Sequence, residues 1–248
     1  ENEIRYIYSI GEVFPWHHIC LTFVCVVVFC WFIYKCSMML NSIKIRILLK
    51  RLKERYPVVK TQLDHATPFQ LLIATIMSAQ CTDTQVNKVT KKLFARYPDP
   101  ESLAAASLKD VKLIIYSTGF YNNKAKNIKA CAHAILEHHK GIVPKSIESL
   151  TALPGVGRKT ANVVRSAAFG YDAIVVDTHV LRLSNRLGLT DKKDPVRVEF
   201  ELMEIIPKSS WSDLSLQFIY FGREICDAKK PLCDICPMFD ICPTRGKK

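Results

Sequence analysis

The stretch LPGVGRKTANVV, Leu153 to Val164, decides the fold prediction because it joins two helices through a turn that contains two glycines. Gly155 and Gly157 allow the backbone to turn tightly and to approach another molecule with no β-carbon in the way. The amides of the turn lie at the N-terminus of the next helix, where partial positive charge accumulates. Such a hairpin suits a DNA phosphate held without reading sequence. An ordinary helix–helix connector is the alternative.

Helical spacing recurs along the chain from Met38 onward. Two segments place apolar side chains at intervals of three and four residues and end at a glycine, Gly141 or Gly170. Their expected buried faces are Ile128, Cys131, Ala132, Ile135 and Leu136 in the first, and Thr160, Val163, Val164, Ala167 and Ala168 in the second. Alternation long enough for a sheet is absent, and the run AIVV at 173–176 is short and isolated. We predict an all-α fold.

Capping signals mark where several of these helices begin. Ser146 can cap a short helix that Pro154 terminates. Thr82 and Gln85 have the spacing of a capping box, in which each residue satisfies a backbone amide of the other. Asp177 opens the helix that follows AIVV.

The charge balance is strongly basic, with 35 Lys and Arg against 23 Asp and Glu and a formal net charge of +12. Residues 1–37 are slightly acidic, so the basic excess lies in residues 38–248. This excess indicates an anionic polymer or an anionic membrane surface as the partner.

Residues 1–37 differ in character from the rest of the chain. Ile19 to Tyr34 is an uncharged apolar stretch, somewhat short of the roughly 20 residues that a membrane-spanning helix needs. The acidic residues Glu1 and Glu3 argue against a signal peptide. Because no methionine precedes Met38, we interpret 1–37 as an extension outside the functional protein. A membrane tether through 19–34 is the minor alternative.

Two polar residues near the hairpin are candidates for catalysis. Lys159 lies just inside a helix N-terminus, where the helix dipole disfavours its positive charge. A neutral amine is what a Schiff-base nucleophile requires, although a lone surface lysine is the more common interpretation. Asp177 is a good N-cap, and it can equally place a carboxylate at the mouth of a cleft.

Four of the ten cysteines cluster near the C-terminus with the pattern C-x6-C-x2-C-x5-C, at Cys226, Cys233, Cys236 and Cys242. Four thiolates can hold either zinc or an iron–sulfur cluster. Zinc sites usually pair their ligands in two short knuckles, and only Cys233 and Cys236 fit that spacing. Clustered cysteines in a helical, basic chain indicate a metal site in a reducing compartment.

LPGVGRKTANVV followed by VDTHV resembles the helix-hairpin-helix–Gly/Pro–Asp superfamily of DNA glycosylases. With the lysine and the cysteine spacing, the chain from about Met38 to its C-terminus is similar to the endonuclease III family. The resemblance implies Lys159 and Asp177 as the catalytic pair and a structural [4Fe–4S] cluster on the four cysteines.

The resemblance also implies contacts to DNA. Gln80 would fill the gap left by a flipped nucleotide, and Phe120 stands where the family often has a leucine wedge; a hydrophobic staple is its alternative interpretation. The remaining expected contacts are the hairpin residues Gly155, Val156, Gly157 and Arg158, then Lys229 and Lys230. His179, two residues past Asp177, is a candidate phosphate or pocket contact, and a structural histidine at a helix start is the equal alternative.

The resemblance therefore implies a monomeric, bifunctional DNA glycosylase and AP lyase for oxidised pyrimidines in duplex DNA, in the cytoplasm or nucleoid. A six-helix domain (61–171) and a cluster domain (38–60 with 172–248) would flank the lesion cleft. Adenine-specific and mismatch glycosylases of the same superfamily are alternatives, although they generally lack the lysine. A non-catalytic iron–sulfur DNA-binding module is an alternative from another class.

Overall fold

A computed structural model describes residues 41–246, and within this range the regular structure is entirely helical. Eleven α-helices occur there. In chain order they are α1 (41–55), α2 (Pro68–Met77), α3 (Asp83–Arg96), α4 (Pro100–Ala105), α5 (Leu108–Ile115), α6 (Tyr121–His139), α7 (Ile147–Thr151), α8 (Arg158–Phe169), α9 (Thr178–Arg186), α10 (Pro195–Ile205) and α11 (Trp211–Glu224). The predicted all-α class is confirmed.

Short 3₁₀ turns and one irregular segment complete this part of the chain. The turns are Tyr116–Thr118, Lys208–Ser210 and Cys233–Ile235. The AIVV segment is buried without regular structure, and side chains bond to its backbone: Ser215 Oγ accepts the Val175 N–H at 2.9 Å. Side-chain acceptors and donors therefore replace the ladder that a sheet would have provided.

The three helix starts predicted from capping signals are found, and in each a small polar side chain caps the first turn. Ser146 Oγ accepts the Ser149 N–H at 3.1 Å at the start of α7. Thr82 Oγ1 accepts the Gln85 N–H at 3.3 Å at the start of α3. The expected capping box is wrong in its second half, since the Gln85 side chain turns away and its Nε2 donates to Ser117 Oγ at 2.7 Å.

Helices α2 to α8 enclose one hydrophobic core. The expected buried face of α6 is confirmed, with Ile128, Cys131, Ala132 and Ile135 inaccessible to solvent and Leu136 packed at its margin. Burying each large aliphatic side chain contributes about 1.5–3 kcal/mol. This packing gives the candidate site a fixed frame.

Contacts divide the chain after Arg46, and the unit Ile47–Lys248 contains every candidate site residue. The predicted boundaries at 61–171 and at 38–60 with 172–248 remain a prediction. The interpretation of residues 1–37, including the apolar stretch 19–34, falls outside the described residues. Between residues 41 and 246, no helix is long and apolar enough to cross a membrane.

Candidate active site and metal centre

The hairpin glycines differ in what surrounds them. Gly155 has φ +78°, and a β-carbon there would lie 2.8 Å from Cβ of Asn127, so any side chain would be both strained and blocked. Gly157 is the N-cap of α8 and faces open space. Because it has no side chain to cap with, the first amides of α8 are left without a capping acceptor. An anion can approach these amides directly.

Two other hairpin residues are engaged within the protein. The Val156 side chain is buried in the core, and its N–H donates to the Leu153 carbonyl at 3.1 Å. The Arg158 guanidinium donates from Nε and Nη2 to the two carboxylate oxygens of Glu199, each at 2.8 Å. The nearby carboxylate raises the pKa of Arg158. The Val156 N–H and the Arg158 guanidinium are therefore engaged within the protein, whereas the first backbone amides of α8 stay open to a ligand.

Lys159 and Asp177 line the same cavity, whose volume is about 290 Å³. Lys159 is exposed in the first turn of α8, whereas Asp177 is half-buried as the N-cap of α9. Asp177 Oδ1 accepts the Val180 N–H at 2.8 Å, which fixes the orientation of the carboxylate. Asp177 thus caps α9 and lines the cavity at the same time.

The buried face predicted for α8 is wrong in part. Ala161, Asn162 and Val164 are the buried residues of this helix, while Val163 and Ala167 line the cavity. Both lie on the same helix face as Lys159, four and eight residues further along. These two small apolar side chains therefore line the cavity next to the lysine. The predicted end of α8 at Gly170 is confirmed.

His179 also lines the cavity, where Arg182 and Gly222 surround it. Arg182 Nη2 lies 3.1 Å from His179 Nδ1, and a β-carbon at Gly222 would lie 2.6 Å from the same nitrogen. A guanidinium only donates, so this contact favours the neutral form of the ring. Burial, together with the charges of Arg182, Arg223 and Lys159, lowers the pKa of His179 against the opposing effect of Asp177.

Gln80 and Phe120 stand outside the cavity lining but share an unusual backbone conformation. Their φ angles are +53° and +47°. For residues other than glycine this left-handed region typically costs about 1–3 kcal/mol and is found at functional sites. Both side chains are exposed, Phe120 to 66%. At both positions a strained backbone thus carries an exposed side chain, as a wedge that enters the base stack requires.

Helix α11 also lines the cavity, with residues that the sequence patterns did not indicate. Helix α11 contributes Tyr220, whose hydroxyl donates to the Lys60 carbonyl at 3.1 Å. It also contributes Arg223, which donates to Gln62 Oε1 at 2.5 Å and to Asp83 Oδ2 at 3.1 Å. Their separation of about 160 residues from the segment they contact leaves no local pattern that could reveal them.

The four C-terminal cysteines line one cavity of about 270 Å³. Arg186 Nη1 lies 3.3 Å from Cys226 Sγ, which suits an anionic thiolate. Within residues 41–246, no three His, Cys, Asp or Glu side chains converge on one point as the ligands of a single ion would. Four thiols around one cavity provide the ligand set that an iron–sulfur cluster needs. Lys229 and Lys230 are exposed in the loop between the first two cysteines, and their amides donate to Asp227 Oδ1.

Comparisons with known proteins agree with this geometry. Residues 73–208 match the HhH-GPD superfamily of base excision DNA repair proteins, and residues 226–242 match the iron–sulfur binding domain of endonuclease III. Endonuclease III of Synechocystis sp. is 52% identical over 198 residues, which cover 79% of this chain and 90% of that protein. Endonuclease III of Escherichia coli (strain K12) is 41% identical over 208 residues, covering 84% and 99%.

The chain belongs to the endonuclease III family. A solved non-covalent endonuclease III–DNA complex superposes with a TM-score of 0.78 at 45% identity, covering 82% of this chain and 95% of that one. A trapped covalent endonuclease III–DNA intermediate superposes equally well. The predicted family, fold and [4Fe–4S] cofactor are confirmed.

Removing one thiolate tests the cluster assignment. For Cys233→Ser we expect iron content to fall from about four per chain towards zero, because a [4Fe–4S] cluster needs four ligands. Loss of a bound metal group is a large-effect change, so the free energy of unfolding should fall by about 4 kcal/mol. Iron analysis and thermal unfolding measure both effects.

Cys131→Ala is the matched control, since Cys131 is buried in the core of α6. It should lower the free energy of unfolding by about 1–2 kcal/mol and leave the iron content unchanged. Full iron occupancy in Cys233→Ser would contradict the assignment of that ligand.

Proposed function

We propose that Lys159 and Asp177 are the catalytic pair of a bifunctional DNA glycosylase and AP lyase acting on oxidised pyrimidines in duplex DNA. The observation that carries the proposal is that both side chains line one cavity. A solved relative forms a trapped covalent intermediate with DNA, which supports a reaction that uses a protein nucleophile.

The chemistry follows from a nucleophilic amine and a carboxylate beside a sugar. The Lys159 amine attacks C1′ as the glycosidic bond breaks and the base departs with the bonding electrons. The Asp177 carboxylate stabilises the oxocarbenium-like positive charge that develops on the sugar. The C1′–O4′ bond then breaks, Nζ loses a proton while O4′ gains one, and an imine forms between Nζ and C1′.

The imine then leads to strand cleavage. It acidifies the proton at C2′, and loss of that proton expels the 3′ phosphate by β-elimination. Water hydrolyses the imine and restores the free amine. Base release and strand scission thus share one covalent link to Lys159.

The rest of the site would hold the DNA and replace the flipped base. The amides of Gly155 and Gly157, with Lys229 and Lys230, would contact the phosphate backbone, and His179 would contact DNA at the cavity. Gln80 and Phe120 would fill the gap in the stack. Extrusion of the base is required because the sugar C1′ cannot be reached inside a paired duplex.

The four cysteines would hold the [4Fe–4S] cluster, which cross-links the C-terminal loop when bound. The loop would then present Lys229 and Lys230 to phosphates. The lesion would enter a cleft between the domains at 61–171 and at 38–60 with 172–248. A monomer in a reducing, DNA-containing compartment, the cytoplasm or nucleoid, suits free thiols and a DNA substrate.

A trapping experiment tests the proposed function directly. The full chain, loaded with iron, is incubated with a duplex containing thymine glycol in the presence of borohydride. Reduction of the imine should give a stable protein–DNA adduct on a denaturing gel. An undamaged duplex is the control. Absence of an adduct from both the lesion duplex and an abasic-site duplex would refute the lyase proposal.

A further inference from the structure

Lys124 is a charged side chain buried in an unfavourable place. It lies in the first turn of α6 and is 5% exposed. Burial lowers the pKa of Lys124, with a smaller opposing effect from Cys81. The helix dipole also disfavours a cation at this end of a helix. Both factors disfavour a charged side chain at this position, so the contacts that Lys124 makes decide what it contributes.

The contacts of Lys124 converge on the segment that carries Phe120. Its Nζ donates to the Thr118 carbonyl at 2.8 Å. The Phe120 carbonyl accepts the N–H groups of Asn123 and Lys124, each at 3.1 Å. Lys124 therefore holds the turn just before Phe120 through its side chain, and Phe120 itself through its backbone.

A second contact joins this segment to the one that carries Gln80. We name residues 78–82 the first recognition loop and residues 116–120 the second recognition loop. Gln85, in the first turn of α3, donates from Nε2 to Ser117 Oγ at 2.7 Å. The first recognition loop ends at Thr82, which caps that same turn. The Gln85–Ser117 hydrogen bond thus links the turn next to the first recognition loop to the second recognition loop, and Lys124 secures the second loop against α6. We call these three residues the brace.

The brace lies next to the two positions with strained backbone. Gln80 and Phe120 are residues other than glycine with positive φ, one in each recognition loop. Such conformations persist only where the surrounding contacts over-determine them. Without the brace, each loop could relax towards an ordinary conformation and withdraw its exposed side chain.

We propose that Lys124 is a positioning residue which, with Gln85 and Ser117, holds the two recognition loops as one rigid wedge. Gln80 and Phe120 then enter the base stack together rather than in sequence. This inference rests on the proposed function, because it assigns both side chains to the stack. It adds that a buried cation, which touches neither substrate nor reacting atoms, sets the efficiency of base extrusion.

The test compares one lesion in two settings. Lys124→Met keeps the length of the side chain and removes its donor and charge. On a duplex lesion we expect kcat/KM to fall roughly 10- to 100-fold, because a misplaced wedge cannot offset the unstacking free energy. On the same lesion in an unpaired bubble the variant should stay within about twofold of the wild type, since little extrusion is then required.

Lys129→Met is the matched control because Lys129 lies in the same helix and its Nζ donates to the carbonyls of Ala104 and Ala106, away from both recognition loops. Lys129→Met should change kcat/KM on the duplex and on the bubble by the same factor. Gln85→Leu gives a second variant if Lys124→Met does not fold, as Gln85 is only half-buried. It should show the same preference for the bubble.

The outcomes separate this inference from the proposed function. Equal losses on duplex and bubble, or no loss on the duplex, in both brace variants would overturn the wedge proposal while wild-type activity remained. Wild-type protein that cleaves neither substrate would instead refute the proposed function. A fluorescent 2-aminopurine beside the lesion adds a direct readout: its emission should rise on binding of the wild type and less on binding of Lys124→Met.

Discussion

Lys159→Gln is expected to abolish strand cleavage and adduct trapping while DNA binding survives. The glutamine is nearly as long as the lysine but has no nucleophilic electron pair, so no imine can form at C1′. Removing a side chain that forms the covalent intermediate typically lowers kcat by a factor of at least about 10³. Cleavage of an abasic-site duplex, followed on a denaturing gel, measures this loss without involving base recognition.

Three controls make that result specific to chemistry. Lys159 is exposed in the first turn of α8, so its replacement should leave thermal unfolding unchanged. Affinity for duplex DNA should fall only about threefold, because a single positive charge is lost. Lys92→Gln removes an exposed charge on α3 outside the cavity and should leave lyase activity unchanged. Substantial lyase activity in Lys159→Gln would assign the nucleophile to another amine.

The parts of the site that the sequence predicted depend on local chemistry. The residues around Asp177 in the sequence predict that it is a helix N-cap, and the same capping bond fixes its carboxylate at the cavity. Gly155 is required by its positive φ and by Asn127, and the turn motif already indicated a glycine there. Such features are encoded within a few residues and can be read without the fold.

Other parts of the site depend on pairs that are distant in sequence. Arg158 was expected to contact DNA, but Glu199, 41 residues away, engages it in two hydrogen bonds. Tyr220 reaches a carbonyl 160 residues away. No local pattern specifies such partners, because only the folded chain brings these distant segments together.

The backbone strain at Gln80 and Phe120 could not be predicted either. A positive φ is normally announced by glycine or asparagine, and neither residue is of that type. The brace that includes Lys124 explains how the conformation is held, and it involves residues on three separate elements. Sequence spacing identified these side chains as candidates through family resemblance, whereas the physical reason for their exposure required the fold.

Asp177→Asn should lower kcat by about 10²- to 10³-fold while leaving both folding and DNA affinity nearly unchanged. Asparagine is as good an N-cap as aspartate, so the bond to the Val180 N–H survives and α9 still begins at Thr178. The variant loses only the negative charge that faces the developing positive charge on the sugar. Removing one preorganised electrostatic contact of this kind has an effect of that size. Single-turnover base release from a thymine glycol duplex measures it.

Asp177→Ala separates the two roles of the side chain. It removes the charge and the cap together, so the free energy of unfolding should fall by about 1 kcal/mol while Asp177→Asn leaves it unchanged. Asp194 provides the matched control because it caps α10 in the same way, accepting the Arg197 N–H at 2.9 Å, and lies outside the cavity. Asp194→Ala should therefore show the stability loss with unchanged turnover. If Asp177→Asn kept wild-type turnover, the carboxylate would be a helix cap alone, and stabilisation of the sugar charge would have to come from another group in the cavity.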